Sequence, residues 1–379
     1  MEWVYSAEQE ELRSTVRRFL QEKAPMNEVR RLAETDGGYA PEVWQQMAEQ
    51  LGLQSMAIPE EYGGAGFSLV ELTIVLQEMG RGLIPSPYFA SVVLAAYALL
   101  NSGDDAAKKD LLPGIASGQT IATLALTEEG GSWDLDALTM SARRDREGGY
   151  RLDGRKTFVL DGSIADLIVV VARTERGLSL FTVDADAAGL ERTALSTLDG
   201  TRKQARLDFD GTPARLIGVD GGAQGGLVET LDTAAVALAA EQIAAAERCL
   251  ELSVAYAKER VQFGRAIGSF QAVKHILADM FTQIELAKSA AHYAAWQAFE
   301  DTDELPSSAC IAQAYASQAF WDTAVESIEV HGGIGFTWEH DLHLYFKRAK
   351  TSQVLLGTPA YHRELLAQRI GLDKPIPAA

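Results

Sequence analysis

The spacing of hydrophobic residues changes twice along the chain. In the first third it is helical: one apolar stripe, which follows an N-cap at Ser6 and ends at Pro25, is formed by Leu12, Val16, Phe19 and Leu20. Four more helices are predicted over about 41–51, 68–80, 86–101 and 104–117. Residues 1–118 are therefore predicted to form a helical N-terminal domain.

Short β-type runs replace the helical spacing from about residue 119. Clusters of Gly, Asp and Ser separate them about every 10 residues, which favours an antiparallel barrel or sandwich. The runs are IATLALTE (121–128), YRLDGRKTFVLDG (150–162), DLIVVVAR (166–173), LSLFTVD (178–184) and RKQARLDFD (202–210). Residues 119–222 are thus predicted to form a central antiparallel β-domain.

Helical spacing returns after the flexible junction GGAQGG at 221–226. One uninterrupted helix is predicted from Leu227 to about Val261, and it would be some 50 Å long. Further helices are predicted over about 269–300, 307–331, 338–353 and 359–370. Long helices joined by short loops favour a C-terminal four-helix bundle over residues 223–379, and hence an α+β multidomain fold.

The overall composition changes this picture little. The chain is 47% hydrophobic and 23% charged, so it has enough apolar residues for folded cores. Its net charge of −19 repels nucleic-acid phosphates, so no nucleic-acid partner is expected. Cys249 and Cys310 have no CxxC pattern or histidine at metal-binding spacing, and we interpret them as buried thiols in a reducing compartment.

The N-terminal segment MEWVYSAEQEELR bears on location. It has neither the basic nor the apolar part of a signal peptide, and no apolar run approaches the roughly 20 residues of a membrane span. We therefore expect a cytoplasmic protein without a membrane-spanning segment.

Four strings in order along the chain resemble those of the acyl-CoA dehydrogenase family. ALTEEGGSWD (125–134) is similar to its Leu-Thr-Glu-Pro-Gly segment, and YAKERVQFGRAIGSFQAVKH (256–275) to its Arg-x-Gln-Phe-Gly segment. VHGGIGFTWEHDLHLYFKRAK (330–350) resembles its late glycine turn, and LGTPAYHR (356–363) its Glu-Gly-Thr loop. The resemblance implies the acyl-CoA dehydrogenase fold, FAD, an acyl-CoA substrate and a role in fatty acid or lipid metabolism. It also implies an electron-transfer flavoprotein as electron acceptor, and a tetramer.

Arg260 is the first candidate for a cofactor contact, because it lies where the long helix ends and its guanidinium can pair with a diphosphate in a bidentate way. A solvated arginine that complements the helix dipole is the alternative. Phe263 offers an aromatic face, and Gly264 lets the backbone approach a ligand. In the family, these positions and the late glycine turn reach a flavin held mainly by the neighbouring subunit. The residues that the resemblance assigns to this role in trans are Arg260, Gln262, Phe263, Phe270, Gln271, Gly332 and Gly333.

Other cofactor positions match the family less completely. Glu329 stands where the family has glutamine, and a carboxylate near a diphosphate is electrostatically unfavourable. Thr127 and Ser132 match the threonine and serine that contact the flavin and the thioester. Phe158 can pack on the flavin ring, whereas Leu160 cannot donate the hydroxyl hydrogen bond of the family's threonine. The alternative for Leu160 is a strand residue that faces the core.

The late loop and the long helix carry the remaining assignments of the resemblance. Thr358, in the Gly-Thr of the loop, is assigned to the cofactor. Asp232 matches a residue that contacts the pantetheine, and it is assigned to the substrate together with Ser132 and Ala234.

The base that dehydrogenation of an acyl-CoA requires is missing from its usual positions. The family places a carboxylate just before the Gly-Thr of the late loop, where this chain has Leu356, or near the start of the long helix, where it has Ala234. Glu241, seven residues after Ala234 on the same helix face, is the remaining candidate. A buried or interfacial ion pair is the alternative for Glu241.

Three explanations of the missing base stay open. Glu241 is the base, or the chain is one subunit of a heterotetramer with a related catalytic chain, as in some bacterial steroid side-chain dehydrogenases, and not a homotetramer. The third is a different flavin oxidation, although Leu356 argues against nitroalkane oxidation, which needs an acid there. A scaffold that has lost FAD is the non-enzymatic alternative. No metal site is expected, because His331, His340 and His343 lack a completing carboxylate.

Overall fold

The structure is a computed structural model that describes residues 5–146 and 148–372. The chain divides into two compact units. The bundle unit comprises the described residues up to Val29, Leu69–Ile84 and the residues from Ala235 onward. The barrel unit comprises Arg30–Ser68 and Pro85–Ala234. The three domains expected from sequence, with boundaries after residues 118 and 222, remain a prediction.

The helices and strands follow the chain in the expected order of helical, β-rich and helical regions. The helices are α1 Ala7–Lys23, α2 Met26–Ala33, α3 Pro41–Leu51, α4 Leu69–Gly82, α5 Ala96–Leu100, α6 Asp105–Ala116, α7 Gln224–Glu259, α8 Gln271–Phe299, α9 Leu305–His331, α10 Leu342–Val354 and α11 Pro359–Arg369, with a π-helical segment Phe89–Ala95 before α5. The strands are β1 Ala122–Ala125, β2 Ser141–Arg144, β3 Tyr150–Leu160, β4 Leu167–Thr174, β5 Gly177–Asp184, β6 Leu190–Ala194, β7 Gln204–Ile217, β8 Val261–Gln262 and β9 Arg265–Ala266.

The predicted helices are confirmed with small shifts at their ends, except that the segment predicted over 86–101 is π-helical over Phe89–Ala95 and α-helical only over Ala96–Leu100. α1 begins with a capping box between Ser6 and Gln9. Of the predicted stripe it buries Val16, Phe19 and Leu20, whereas Leu12 is half-buried. α7 runs without a break for 36 residues. The pattern misses α2, because its eight residues are too few to show a periodicity. It also misses β2 and β6, whose polar sequences SARR and LERTA lie largely at the surface.

The strands β1 to β7 form one sheet that closes on itself as a barrel. β4 pairs with β5, β5 with β7, β7 with β3 and β3 with β2, and β2 returns to β4. These pairs are antiparallel apart from the short β2–β4 contact, while β1 adds to β4 in parallel. The predicted antiparallel β-domain is therefore confirmed, with β1 as a parallel addition.

Buried polar side chains connect α7 to its neighbours in the bundle unit. The Gln242 amide donates to Gln313 on α9 at 3.0 Å and accepts from the Ser317 hydroxyl at 3.1 Å. All three side chains are fully buried, so each needs the partners that the others supply. Lys288 on α8 pairs with Glu247 on α7 at 2.7 Å.

Across the described ranges, every helix is too short or too polar to cross a lipid bilayer.

α4 and α7 approach each other closely at Gly80. A Cβ atom added at Gly80 would lie 2.1 Å from the carbonyl oxygen of Glu241. The two helices can pack at this distance only because glycine has no side chain.

Gly80→Ala is expected to destabilise the protein by about 1–3 kcal/mol, because the added methyl group forces α4 and α7 apart. Gly225→Ala is the control: Gly225 also lies in a helix, but nothing else in the described chain lies within 4 Å of an added Cβ. That variant should stay within about 1 kcal/mol of the wild type. Denaturant unfolding measures both, and equal stability of the two variants would contradict the close crossing.

Candidate active site

The loop after β1 and the strand β3 bring predicted cofactor residues together in the barrel unit. Thr127 is buried; its hydroxyl donates to the Thr157 carbonyl at 2.5 Å, and its carbonyl accepts from the Thr157 amide at 2.9 Å. Phe158 follows with a φ of 60° and a side chain that is 42% exposed. A Cβ added at Gly131 would lie 3.4 Å from the Phe158 ring. Thr127, Phe158 and the loop that leads to Ser132 therefore lie side by side.

The exposed Phe158 ring results from an irregularity in β3. The register between β3 and β7 shifts between Lys156 and Val159, as in a β-bulge. The shift and the positive φ turn the ring of Phe158 outward, while Val159 and Leu160 on either side of the strand stay buried. An aromatic face is thus available to a planar ligand at this point of the barrel.

Ser132 and Leu160 differ in their surroundings. Ser132 is exposed, and its hydroxyl oxygen accepts from the Asp134 amide at 3.1 Å. Leu160 is 3% exposed, and its carbonyl accepts from the Thr123 hydroxyl at 2.5 Å. Its side chain packs as a core residue of β3, which favours the alternative left open for it by the sequence.

Sequence reasoning misses the hydroxyl of Thr157. This atom is buried and has no hydrogen-bond partner within the described ranges. Buried hydroxyls are seldom left unpaired, so it is a candidate to bind a group of a ligand. Only the three-dimensional structure identifies it, because a threonine in a β-strand is otherwise unremarkable in sequence.

Asp232 and Ala234 lie in α7 and are both buried, at 6% and 0% exposure. Ala234 places a methyl group at the second base position, so no proton acceptor is available there. Asp232 is a carboxylate in a stretch of small and apolar residues, which is consistent with a specific polar contact. The assignment of both residues to the substrate stays a prediction.

The chain leaves α7 through a tight β8–β9 hairpin. The Ile267 amide donates to the Arg260 carbonyl at 2.8 Å, and Phe263 at the tip has a φ of 54°. Phe263 is 92% exposed; the Phe270 ring meets it edge-on at 6.1 Å, and the Arg265 guanidinium lies over Phe270 at 4.1 Å. The predicted cofactor residues exposed at this hairpin are Arg260, Gln262, Phe263 and Gln271. An exposed phenylalanine is unfavourable in water, so this surface suits a covering chain or ligand.

The late glycine turn is open at the end of α9. Gly332 has a φ of 63° and a ψ of −141°, a conformation that favours glycine. Nothing in the described chain lies within 4 Å of a Cβ added at Gly332 or Gly333, and both residues are exposed with Glu329. His331 stacks on the Tyr256 ring at 4.3 Å.

Residues 5–146 and 148–372 contain no group of three or more His, Cys, Asp or Glu side chains that could hold a metal ion.

The late loop carries a buried apolar side chain at the usual base position. Leu356 is 3% exposed and has a φ of 61°, a conformation that costs a non-glycine residue about 1 kcal/mol or more. Gln313 donates to the Leu355 carbonyl at 3.4 Å, and His362 donates through Nε2–H to the Leu356 carbonyl at 3.0 Å. Burial lowers the pKa of His362 to about 4, so the ring is neutral at pH 7. Two buried side chains thus hold the backbone of this loop.

Thr358 caps α11. Its hydroxyl oxygen accepts from the Tyr361 amide at 3.2 Å, and the side chain is exposed. Capping accounts for a threonine at this position, so its contact with the cofactor stays a prediction.

Glu241 lies in a buried ion pair with Arg348 on α10. The Glu241 Oε1 accepts from the Arg348 Nη1 at 2.8 Å, and the two side chains are 5% and 3% exposed. A carboxylate held by an arginine inside the protein is stabilised as an anion and is a poor proton acceptor. The surroundings of Glu241 therefore favour the ion pair that the sequence left open over a role as base.

Three domain families cover nearly all of the chain. The acyl-CoA dehydrogenase N-terminal domain matches residues 6–119, the middle domain 123–212 and the C-terminal domain 226–371. The chain belongs to the acyl-CoA dehydrogenase family. Membership confirms the predicted resemblance and fold, makes the protein a member of an oxidoreductase family, and implies a flavin cofactor.

Individual proteins are similar to this chain over nearly its whole length. The chain is 39% identical to acyl-CoA dehydrogenase IpdE2 of Mycobacterium tuberculosis over 359 residues, covering 95% of each. It resembles a variant of the Tcur3481-Tcur3483 steroid ACAD with a TM-score of 0.87 and 32% identity, covering 96% of this chain and 98% of the other. It resembles a chain of the ChsE4-ChsE5 complex from Mycobacterium tuberculosis with a TM-score of 0.90 and 30% identity, covering 99% and 100%.

Arg348→Met is expected to destabilise the protein by about 3–5 kcal/mol, because it removes the arginine from the buried Glu241 carboxylate. Glu241→Gln alone should destabilise for the converse reason. The double variant should lose less than the sum of the two, since neither charge then remains buried. Denaturant unfolding measures all three, and Arg363→Met, at an exposed arginine, is the control. Additive losses would show that the two charges are not coupled.

Proposed function

We propose that this chain is an FAD-binding subunit of a heteromeric acyl-CoA dehydrogenase, which catalyses the α,β-dehydrogenation of an acyl-CoA thioester. The proposal rests on a contrast between two sets of positions: the base positions of this chain have lost their reactive side chains, whereas the positions that act on a neighbour's flavin have kept theirs. The two base positions hold Leu356 and Ala234, both buried and apolar. Arg260, Phe263 and Gly332, which are expected to act on a neighbour's flavin, are present and exposed.

Residues in each unit, taken separately, fit FAD. In the barrel unit, Phe158 offers an exposed aromatic ring. The Thr157 hydroxyl, which has no partner among the described residues, can replace the hydrogen bond lost at Leu160. In the bundle unit, Arg260 offers a guanidinium for the diphosphate, and Gly332 leaves space for it. When bound, the flavin would accept the hydride from the β-carbon of the thioester.

The α-proton needs an acceptor that this chain does not offer at its expected positions. Leu356 and Ala234 have no basic atom in their side chains, and Glu241 is paired with Arg348. We therefore assign the proton to a carboxylate of a related chain, which dehydrogenates substrate in its own site. This chain would contribute Arg260 and its neighbours to the FAD of that site.

The structural relatives support an assembly of two kinds of chain. One is named as the Tcur3481-Tcur3483 steroid ACAD and the other as the ChsE4-ChsE5 complex. By analogy, we propose a heterotetramer and a bulky, ring-containing acyl group derived from a steroid. Asp232 and Ser132 would contact the CoA part of an acyl-CoA bound to this chain, and electrons would pass from the related chain's site to an electron-transfer flavoprotein.

A second candidate function is that of a non-catalytic subunit that completes a neighbour's FAD site without binding FAD itself. The packing of Leu160 favours it, because its 3% exposed side chain leaves no hydroxyl for the flavin at this position. The two candidates differ in the number of flavins per assembly.

Arg260→Ala should weaken FAD binding about tenfold or more, because a charge-assisted hydrogen bond contributes about 1.5–3 kcal/mol. Lys258→Ala removes an exposed cation two residues earlier in α7 and should change the affinity less than about twofold. Fluorescence titration of the apoprotein with FAD, in the oligomer in which it purifies, measures both. A wild-type chain that adds no FAD to the assembly it forms with a base-bearing family member would overturn the primary proposal, and counting flavins per assembly separates it from the second.

Dehydrogenation is expected only when this chain is co-expressed with a family member that has glutamate at the position matching Leu356. Activity is followed as enoyl-CoA formation with an artificial electron acceptor. Glu241→Gln in this chain should leave kcat of the assembly within about twofold if the assembly stays intact, because the carboxylate lies in an ion pair. An active assembly of this chain alone would exclude the heteromer, and its inactivation by Glu241→Gln without loss of FAD would restore Glu241 as the base.

A further inference from the structure

Lys156 in β3 is a fully buried lysine, with 0% exposure. Its Nζ donates to the Leu126 carbonyl at 2.8 Å and to the Glu128 carboxylate at 2.9 Å. A buried ammonium is costly, and an apolar residue of similar length would fill the same space at lower cost. The charge is therefore more than a means of filling the core.

Glu128 connects Lys156 to both ends of one loop. Its carboxylate also accepts from the Thr139 hydroxyl at 2.6 Å, the Thr139 amide at 3.0 Å and the Met140 amide at 2.8 Å. Burial opposes the charge, but the hydrogen bonds from Thr139 and Met140 and the charge of Lys156 lower the pKa of Glu128 to about 2. The loop from Thr127 to Thr139 is thus closed at its base by an anion and anchored to β3 by a cation.

The same loop and strand present the residues assigned to the flavin and the thioester. Thr127 and Thr157 exchange two hydrogen bonds next to Lys156, and Phe158 follows directly in the strand. A Cβ on Gly131 in the loop would touch the Phe158 ring at 3.4 Å. Any shift of the loop relative to β3 would therefore change the distance between Thr127, Ser132 and the aromatic face.

We propose that Lys156, acting through Glu128, is a positioning residue that holds the 127–139 loop against β3 in the geometry that binds FAD. This inference rests on the proposed function. Lys156 would not itself touch the ligand. It acts on the backbone that carries Thr127 and on the strand that carries Phe158.

The electrostatics of Lys156 supply a specific signature. Burial lowers the pKa of Lys156 to about 8 against the attraction of Glu128. The charged group in contact with the Lys156 ammonium is Glu128. The neighbouring Arg155 pairs instead with Glu129 and Asp208. Above about pH 8 the ammonium loses its charge, while Glu128 stays an anion, so the loop is held by a weaker contact.

The free energy of unfolding rises with pH, whereas the contact between Lys156 and Glu128 weakens. The folded-state pKa of about 8 lies below the ordinary value of 10.5, so the unfolded chain binds more protons between these values. This group therefore makes the protein more stable, not less, as the pH rises through that window. A loss of FAD affinity above about pH 8 cannot then be attributed to unfolding through Lys156.

The test measures FAD affinity between about pH 7 and about pH 9.5, using the full chain in its purified oligomer and FAD as the probe. For the wild type, the Kd should rise about threefold to tenfold across this range, because deprotonation weakens the contact between Lys156 and Glu128. Lys156→Met should show a Kd about tenfold higher at pH 7 and no titration, because Glu128 keeps its Thr139 and Met140 donors but loses the cation. Lys109→Met, the same change at an exposed lysine paired with Asp105, should behave as the wild type.

The outcomes separate this inference from the proposed function. A wild type that binds FAD with a pH-independent Kd, or a Lys156→Met variant that binds within about twofold of the wild type, would overturn the role of Lys156 alone. A wild type that does not bind FAD would overturn the proposed function as well. If Lys156→Met does not fold, the wild-type pH profile and Glu128→Gln, which should also weaken FAD binding, decide the matter.

Discussion

A charge that leaves water must keep a partner, and in each compact unit a fully buried cation pairs with a carboxylate. In the barrel unit the Lys156 ammonium meets Glu128, and in the bundle unit the Arg348 guanidinium meets Glu241. A buried ion pair is strong only while its two groups stay within hydrogen-bonding geometry, so it tolerates few shifts. These pairs therefore fix which loop lies on β3 in the barrel unit and, separately, how α7 meets α10 in the bundle unit.

Much of the fold follows from the spacing of apolar residues. The stripe of Val16 and Phe19 and the unbroken pattern of α7 locate helices, since buried helix faces repeat every three to four residues. Short strands cannot be located from the spacing of apolar residues. β2 and the β8–β9 hairpin have too few residues for any period, and they exist because neighbouring strands or a glycine turn complete their hydrogen bonds.

The candidate site could be predicted only in part. The motifs identify Arg260 and Phe158, but they say nothing of the register shift that turns the Phe158 ring outward. Glu241 stands out in sequence as an acid in an apolar run, yet its partner Arg348 lies 107 residues further on, and no local pattern links the two. Thr157 becomes a candidate only when the structure shows that its hydroxyl is left without a partner among the described residues.

In the loop around Leu356, the residues that hold the backbone are different from the residue at the base position. A leucine in the left-handed region is strained, and the loop is held from behind by Gln313 and His362, which bind the carbonyls of residues 355 and 356. Both contacts are made to the backbone, so neither of them depends on which side chain occupies position 356. The same two contacts can hold a loop with a proton-accepting side chain or one without it, so a division of the reaction between subunits would need no change of fold.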